Sequence, residues 1–177
     1  MSKITGNDVV LAKNVKYSLG HFLTGEFGKN YSDADIQSLK KNPSSDLYSI
    51  LFYLAPGDYH RYHSMADSVV TDRVHVAGEL FTVKDTFVSR FTGVYEVNER
   101  VVLNATWKYG MLSQVYVAAT NVGTMSLNID PDLNTNQAFS TGPVINRKSL
   151  SGIKLAVGQE VGRFNMGSTV VAVLEVP

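Results

Sequence analysis

Residues 100–120 constrain the fold most. The runs Arg100-Val101-Val102-Leu103-Asn104-Ala105-Thr106-Trp107 and Met111-Leu112-Ser113-Gln114-Val115-Tyr116-Val117-Ala118-Ala119-Thr120 flank Lys108-Tyr109-Gly110. Both are rich in β-branched and aromatic residues, and the glycine in the link supplies a turn, so the stretch reads as a β-hairpin. Further strand-like runs lie at 47–54, stopped by Pro56-Gly57, at 79–83 after Gly78, at 122–129, and at 169–176, a near-continuous apolar final run. Residues 156–162 read as a tight turn leading into a strand. Residues 130–149, with Pro131, Asn134, Asn136, Gly142 and Pro143, read as a long surface loop. Helix is scarce: 18–27 suits a short amphipathic piece, and Ser32-Asp33-Ala34-Asp35 ahead of Ile36 and Leu39 carries a capping signal. The expected class is mainly β, a single-domain β-sandwich or barrel-like fold with one or two short helices.

Composition excludes several functions. With 177 residues the chain suits one domain with a substantial core. The 16 basic residues balance the 16 acidic ones, so no nucleic-acid partner is expected. The absence of cysteine removes disulfides, thiolate catalysis and cysteine zinc sites, and no metal site is expected. No apolar run approaches the roughly 20 residues that span a bilayer. Met1-Ser2-Lys3-Ile4 opens neither a signal-peptide core nor an arginine-rich transit peptide. The expectation is a soluble or peripheral chain whose targeting segment lies outside it.

Two runs carry candidate chemistry. In Tyr53-Leu54-Ala55-Pro56-Gly57-Asp58-Tyr59-His60-Arg61-Tyr62-His63, two histidines stand close together, and histidine is the side chain suited to moving protons near neutral pH. Near the end, Gly167-Ser168 offers a hydroxyl that becomes a nucleophile once a base takes its proton. Each has an ordinary reading as well: surface histidines after a Pro-Gly turn, and a glycine turn whose serine opens the last strand. His21 and His75 stand alone and suit structural or solvated roles.

The order of several short motifs adds to these residues. Tyr53 to His63, Asn98-Glu99-Arg100-Val101, Ala118-Ala119-Thr120-Asn121-Val122-Gly123-Thr124, Gly158-Gln159-Glu160-Val161-Gly162-Arg163-Phe164 and Met166-Gly167-Ser168-Thr169 follow one another along nearly the whole chain. They resemble the YLxPxDYHRxH, NERV, VGATxVGS, KGxExGxF and LGST motifs of the phosphatidylserine decarboxylases, most of all the mitochondrial branch. The resemblance implies self-cleavage. Ser168 attacks the Gly167 carbonyl, the resulting ester eliminates, and residue 168 hydrolyses to a covalent pyruvoyl group and ammonia. Residues 1–167 then form a large subunit and 168–177 a small one. The pyruvoyl ketone condenses with the amine of phosphatidylserine as a Schiff base and acts as the electron sink for loss of carbon dioxide, giving phosphatidylethanolamine. His63 matches the family's maturation base, and His60 the histidine that handles protons during decarboxylation. The implied partner is phosphatidylserine in a membrane, with peripheral contact at the mitochondrial inner membrane; self-association is left open.

The chain departs from the family pattern at one acidic motif. A Pro-x-Asp-Gly-like segment, whose aspartate orients the maturation base, belongs upstream of Val15-Lys16-Tyr17-Ser18-Leu19 and has no counterpart among these residues. Asp8 and Asp58 are the stand-ins to test, and slow or absent self-cleavage is the expectation. A second reading is therefore an uncleaved, inactive relative that binds phospholipid or a partner. A lipoyl- or biotinyl-type carrier ranks last, since no lysine sits at a suitable hairpin tip. For contact with lipid, His21, Phe22, Leu23 and Phe27 are the candidate rim.

Overall fold

The final apolar run forms the middle of the largest sheet. The computed structural model describes residues 1–10, 15–120, 122, 124–137, 144–166 and 168–177, without the side chains of Val10 and Asp85. Along the chain come Ser2–Lys3 (β1), Asp8–Val10 (β2), Lys16–Ser18 (β3), Leu19–Thr24 (α1), Asp33–Leu39 (α2), Asp46–Tyr53 (β4), Arg61–His63 (β5) and Ser68–Val76 (β6). Then follow Asp85–Val88 (α3), Val94–Val97 (α4), Arg100–Trp107 (β7), Gly110–Val117 (β8), Met125–Leu127 (β9), Ile145–Leu155 (β10), Glu160–Phe164 (β11) and Thr169–Val176 (β12). A seven-stranded sheet runs β1-β4-β12-β8-β7-β6-β10, a three-stranded one β5-β11-β9, and β2 pairs with β3. The described pairings between these strands are antiparallel.

Strand β12 lies between β4 and β8, with Thr169 opposite both Tyr53 and Val117. Val170, Val171, Ala172 and Val173 are all buried, so both faces of this strand are covered. On one face Tyr62 of β5 stacks on Tyr116 of β8, ring centroids 3.8 Å apart, and Phe164 of β11 meets Tyr62 edge-on at 5.1 Å. Gly162 permits that approach: a Cβ there would sit 1.9 Å from the Ser126 carbonyl oxygen and 2.7 Å from the Tyr62 ring. On the other face the buried Arg100 grips the end of α1. It donates from Nε to the Phe22 carbonyl (2.9 Å) and from Nη2 to the His21 carbonyl (2.9 Å). The His21 carbonyl also accepts from the Gly25 amide at 2.8 Å, the bond that caps the helix. Burial pushes the Arg100 guanidinium down to about 10, against the opposing field of Glu96, so it stays charged at neutral pH.

The hairpin, β4, β12 and the turn before β11 match the sequence reading, as do α1 and α2. Helix α2 starts at a capping box: the Asp35 amide donates to the Ser32 hydroxyl (3.2 Å) and the Ser32 amide to the Asp35 carboxylate (2.8 Å). Helices α3 and α4, of four residues each, exceed the expected one or two. Residues 79–83 are not a strand. There the Asn98 side chain takes the Phe81 amide (3.0 Å) and gives to the Phe81 carbonyl (2.7 Å), replacing a ladder. The strand expected at 122–129 narrows to β9. The surface loop expected over 130–149 is shorter, because residues 145–149 enter β10 and Asp130 is buried by Arg73 (2.8 Å) and Lys148. Gly142 and Pro143 fall outside the described residues. Strand β6 had no counterpart in the sequence reading. Among the described residues no helix is long and apolar enough to cross a membrane.

Candidate active site

Ser168 stands at the mouth of β12. It is buried, its hydroxyl donates to the Val117 carbonyl at the end of β8, and its own carbonyl accepts from the Leu54 amide at 2.7 Å. The zipped apolar strand behind it fixes this place. Next to it the Thr169 hydroxyl is buried without a hydrogen-bond partner among the described residues. Gly167 lies outside the described residues.

The segment carrying the histidines is stitched to the same place at two points. Leu54 holds Ser168, and the His60 carbonyl accepts from the Phe164 amide at 3.0 Å, four positions before Ser168. Folding thus joins the two runs singled out in the sequence. The ring of neither histidine is hydrogen-bonded to the Ser168 hydroxyl.

His63 ends β5 opposite Glu160 of β11. Its Nδ1 lies 2.8 Å from the Gly158 carbonyl oxygen and its Nε2 2.6 Å from the Tyr59 hydroxyl. A carbonyl only accepts, so Nδ1 carries the proton and Nε2 accepts from Tyr59. The Tyr59 ring also stacks on the imidazole at 5.7 Å. Tyr59 and Gly158 were not among the residues chosen from sequence. Tyr59 sits four positions before His63, a spacing without meaning in the turn that precedes β5.

His60 differs. Its Nε2 lies 3.1 Å from the Pro56 carbonyl oxygen and donates to it, which leaves Nδ1 as a buried lone pair without a partner among the described residues. Neither proposed stand-in acid meets a histidine. The Asp58 carboxylate accepts from the Ala55 amide (2.8 Å), closing a turn, and Asp8 pairs with Lys16 (2.8 Å). Glu160 is spent on Arg61 (2.6 Å), whose hydrogen bond holds its carboxyl below the usual range, helped by Asn128 and slightly by the field of His63.

The family-like motif at 98–100 forms the scaffold of this end. Asn98 joins Phe81 to the Ala118 carbonyl (2.9 Å), and Thr120 reaches the Leu80 carbonyl (2.7 Å). Glu99 accepts from His75 Nε2 (2.8 Å) and from the Asn136 amide (2.9 Å). His21 lies 3.6 Å from Glu96. Both lone histidines therefore stand beside carboxylates.

Exposed aromatics gather at the same end of the sheet. Phe81, Phe87 and Phe91 form a cluster with ring centroids 5.4–6.0 Å apart, and Phe81 and Phe91 are 38% and 39% exposed. Tyr53, Tyr59 and Met166 are exposed as well. The rim suggested from sequence is corrected. His21, Phe22 and Leu23 are buried because they are the core-facing part of α1, and only Phe27 is exposed.

A family model described as phosphatidylserine decarboxylase matches residues 1–177. Among curated relatives, the mitochondrial phosphatidylserine decarboxylase proenzyme 1 of Schizosaccharomyces pombe is 46% identical over 140 residues, 74% of this chain and 32% of that protein. The mitochondrial phosphatidylserine decarboxylase proenzymes of Caenorhabditis elegans and Rattus norvegicus are 36% and 34% identical, each over 99% of this chain and over 44% and 47% of their own lengths. The chain belongs to the phosphatidylserine decarboxylase family. It spans about a third to a half of the length of these relatives.

Proposed function

We propose that this chain is the catalytic β-domain of a pyruvoyl-dependent phosphatidylserine decarboxylase, acting at a mitochondrial membrane as the names of its relatives suggest. The observation that carries this reading is the double stitch of the 54–60 segment, at Leu54 to Ser168 and at His60 to Phe164. Ser168 is the nucleophile that attacks the Gly167 carbonyl, His63 takes its proton, and His60 holds or moves a proton during decarboxylation. The pyruvoyl group made from Ser168 supplies a ketone that withdraws electrons from the substrate. Residue 168 suits that role. Its carbonyl is held by Leu54, its strand is clamped on both sides, and the buried lone pair of His60 Nδ1 belongs to the stitched segment.

Residues 1–167 and 168–177 are then the two products of the cut. Phosphatidylserine is a bilayer lipid, so the site must open toward a membrane, and the cluster of Phe81, Phe87 and Phe91 supports contact there.

The test is an intact-mass record of the incubated protein, with Ser168→Ala as control, followed by assay of carbon dioxide release from phosphatidylserine. A cut after 167 with a pyruvoyl on the smaller product, together with release, would mark a working enzyme. A second reading, an uncleaved domain that binds phospholipid or a partner, is favoured by the engagement of the Ser168 hydroxyl with Val117 and of both His63 nitrogens elsewhere. An uncut chain that binds lipid without releasing carbon dioxide would support it.

A further inference from the structure

We infer that two groups outside the family motifs' histidine and serine set the state of His63: the Gly158 carbonyl as its orienting acceptor and the Tyr59 hydroxyl as a cap on its basic nitrogen. Tyr59 and Gly158 are positioning residues, acting through His63.

The turn presenting Gly158 is strongly built. The Gln159 amide donates to the Ala156 carbonyl (3.0 Å), the Gly158 amide to the Ser64 carbonyl (2.9 Å), and the Ser64 amide to the Gln159 carbonyl (2.8 Å). Two side chains add to it: Asp67 accepts from the Val157 amide (2.8 Å) and Gln159 from the Ala156 amide (3.0 Å). Gly158 has φ +78°, a left-handed conformation in which side chains are strained, although an added Cβ would meet nothing within 4 Å. The glycine is thus there for its backbone, and the backbone aims a carbonyl at His63 Nδ1.

A fixed acceptor on Nδ1 selects the tautomer in which Nε2 is the base, the orienting part of what a carboxylate does in a catalytic triad. Tyr59 then fills the Nε2 lone pair. For Ser168 to lose its proton to Nε2, the Tyr59 hydroxyl must leave; the proton passes from the serine oxygen to Nε2, and the resulting imidazolium keeps its Nδ1–H on Gly158. This role in cutting rests on the reading of Ser168 and His63 given above. The tautomer does not.

The experiment is nitrogen NMR of the ¹⁵N-histidine-labelled S168A chain, at a pH where the His63 ring is neutral. The expected major form has the proton on Nδ1. Tyr59→Phe should keep that tautomer and move the Nε2 resonance toward that of an unbonded imidazole nitrogen. Gly158→Ala and Asp67→Ala, which disturb the turn from inside and from beside it, should mix the tautomers. An Nε2–H form, or an Nε2 resonance unmoved in Tyr59→Phe, would overturn the assignment. With Ser168 present, Tyr59→Phe should cut about fivefold faster, the effect of releasing one neutral hydrogen bond. Slower cutting would overturn the cap. Absence of cutting in both proteins, the outcome expected where no carboxylate stands beside His63, would leave the tautomer and the Nε2 resonance to decide both roles.

Discussion

The Leu54 amide donates to the Ser168 carbonyl at 2.7 Å, so the residue just before the last strand is held by the segment that carries both histidines. Beyond that bond, β12 is paired along its length with β4 and over residues 169–174 with β8. Val170, Val171 and Val173 are buried, and each full burial of such a side chain stabilises by about 1.5–3 kcal/mol. We therefore expect residues 168–177, once cut, to remain with residues 1–167. Native mass spectrometry of cut protein should show one complex that separates only in denaturant. Free loss of the peptide in buffer would show that the ladder does not retain it.

A second expectation concerns acid. Burial pushes the Glu175 carboxyl up, but donation from the Ser45 hydroxyl and the Lys41, Asn42 and Met111 amides outweighs it and holds the carboxyl below its ordinary value of 4.5. Asp130 likewise is raised by burial and lowered more by Lys148 and Arg73. A depressed carboxyl contributes stability that is present above its unfolded value and lost as pH falls through the folded one. The melting temperature should therefore drop steeply below about pH 4.5. Glu175→Gln should cost about 2–3 kcal/mol at pH 7, because the amide cannot receive all four donors. It should also flatten the acid limb. Equal melting curves for the two proteins at pH 7 and pH 4 would contradict this.

The aromatic cluster can be tested apart from the chemistry. Lys84 and Arg90 lie between its members in sequence, and neither forms a salt bridge with a described side chain. Replacing Phe81 and Phe91 together by serine removes two half-exposed rings, and partitioning to anionic vesicles should fall by about tenfold or more. Flotation of wild type and variant at matched lipid measures this. Unchanged partitioning would dismiss the cluster as the membrane face while leaving the roles of Ser168, His60 and His63 untouched.

Much of this arrangement was legible in the residues, and the illegible parts have a physical cause. Strands β7, β8 and β12 could be read because their apolar and branched residues are local signals. Strand β6 could not: Thr71, Asp72 and Arg73 interrupt it, and the buried Arg73 finds its partners, Asp130 and Asn146, far along the chain. Strand β10 is a sheet edge with mostly exposed side chains, so its composition resembles a loop. Residues 79–83 looked like a strand because sequence does not reveal that Asn98 would take over their backbone bonds. The ordered motifs marked out Ser168, His60 and His63. Which atom each ring nitrogen meets depends on Gly158 and Tyr59, whose placement is tertiary.

The last expectation is that the 177-residue chain alone cuts itself slowly or not at all. His63 has an orienting acceptor in the Gly158 carbonyl, but a carbonyl carries no charge with which to stabilise an imidazolium. Asp58 is spent on its own turn, Asp8 on Lys16 and Glu160 on Arg61. In serine hydrolases, loss of the acid's function costs about 10⁴-fold in rate, and a penalty of that order would turn minutes into weeks. Without the cut there is no ketone, so the uncut chain should release no carbon dioxide from phosphatidylserine. Purified protein should therefore keep its full mass over days, as the Ser168→Ala control does. Prompt appearance of a 168–177 fragment bearing an N-terminal pyruvoyl would show that the carbonyl suffices and that His63 needs no carboxylate.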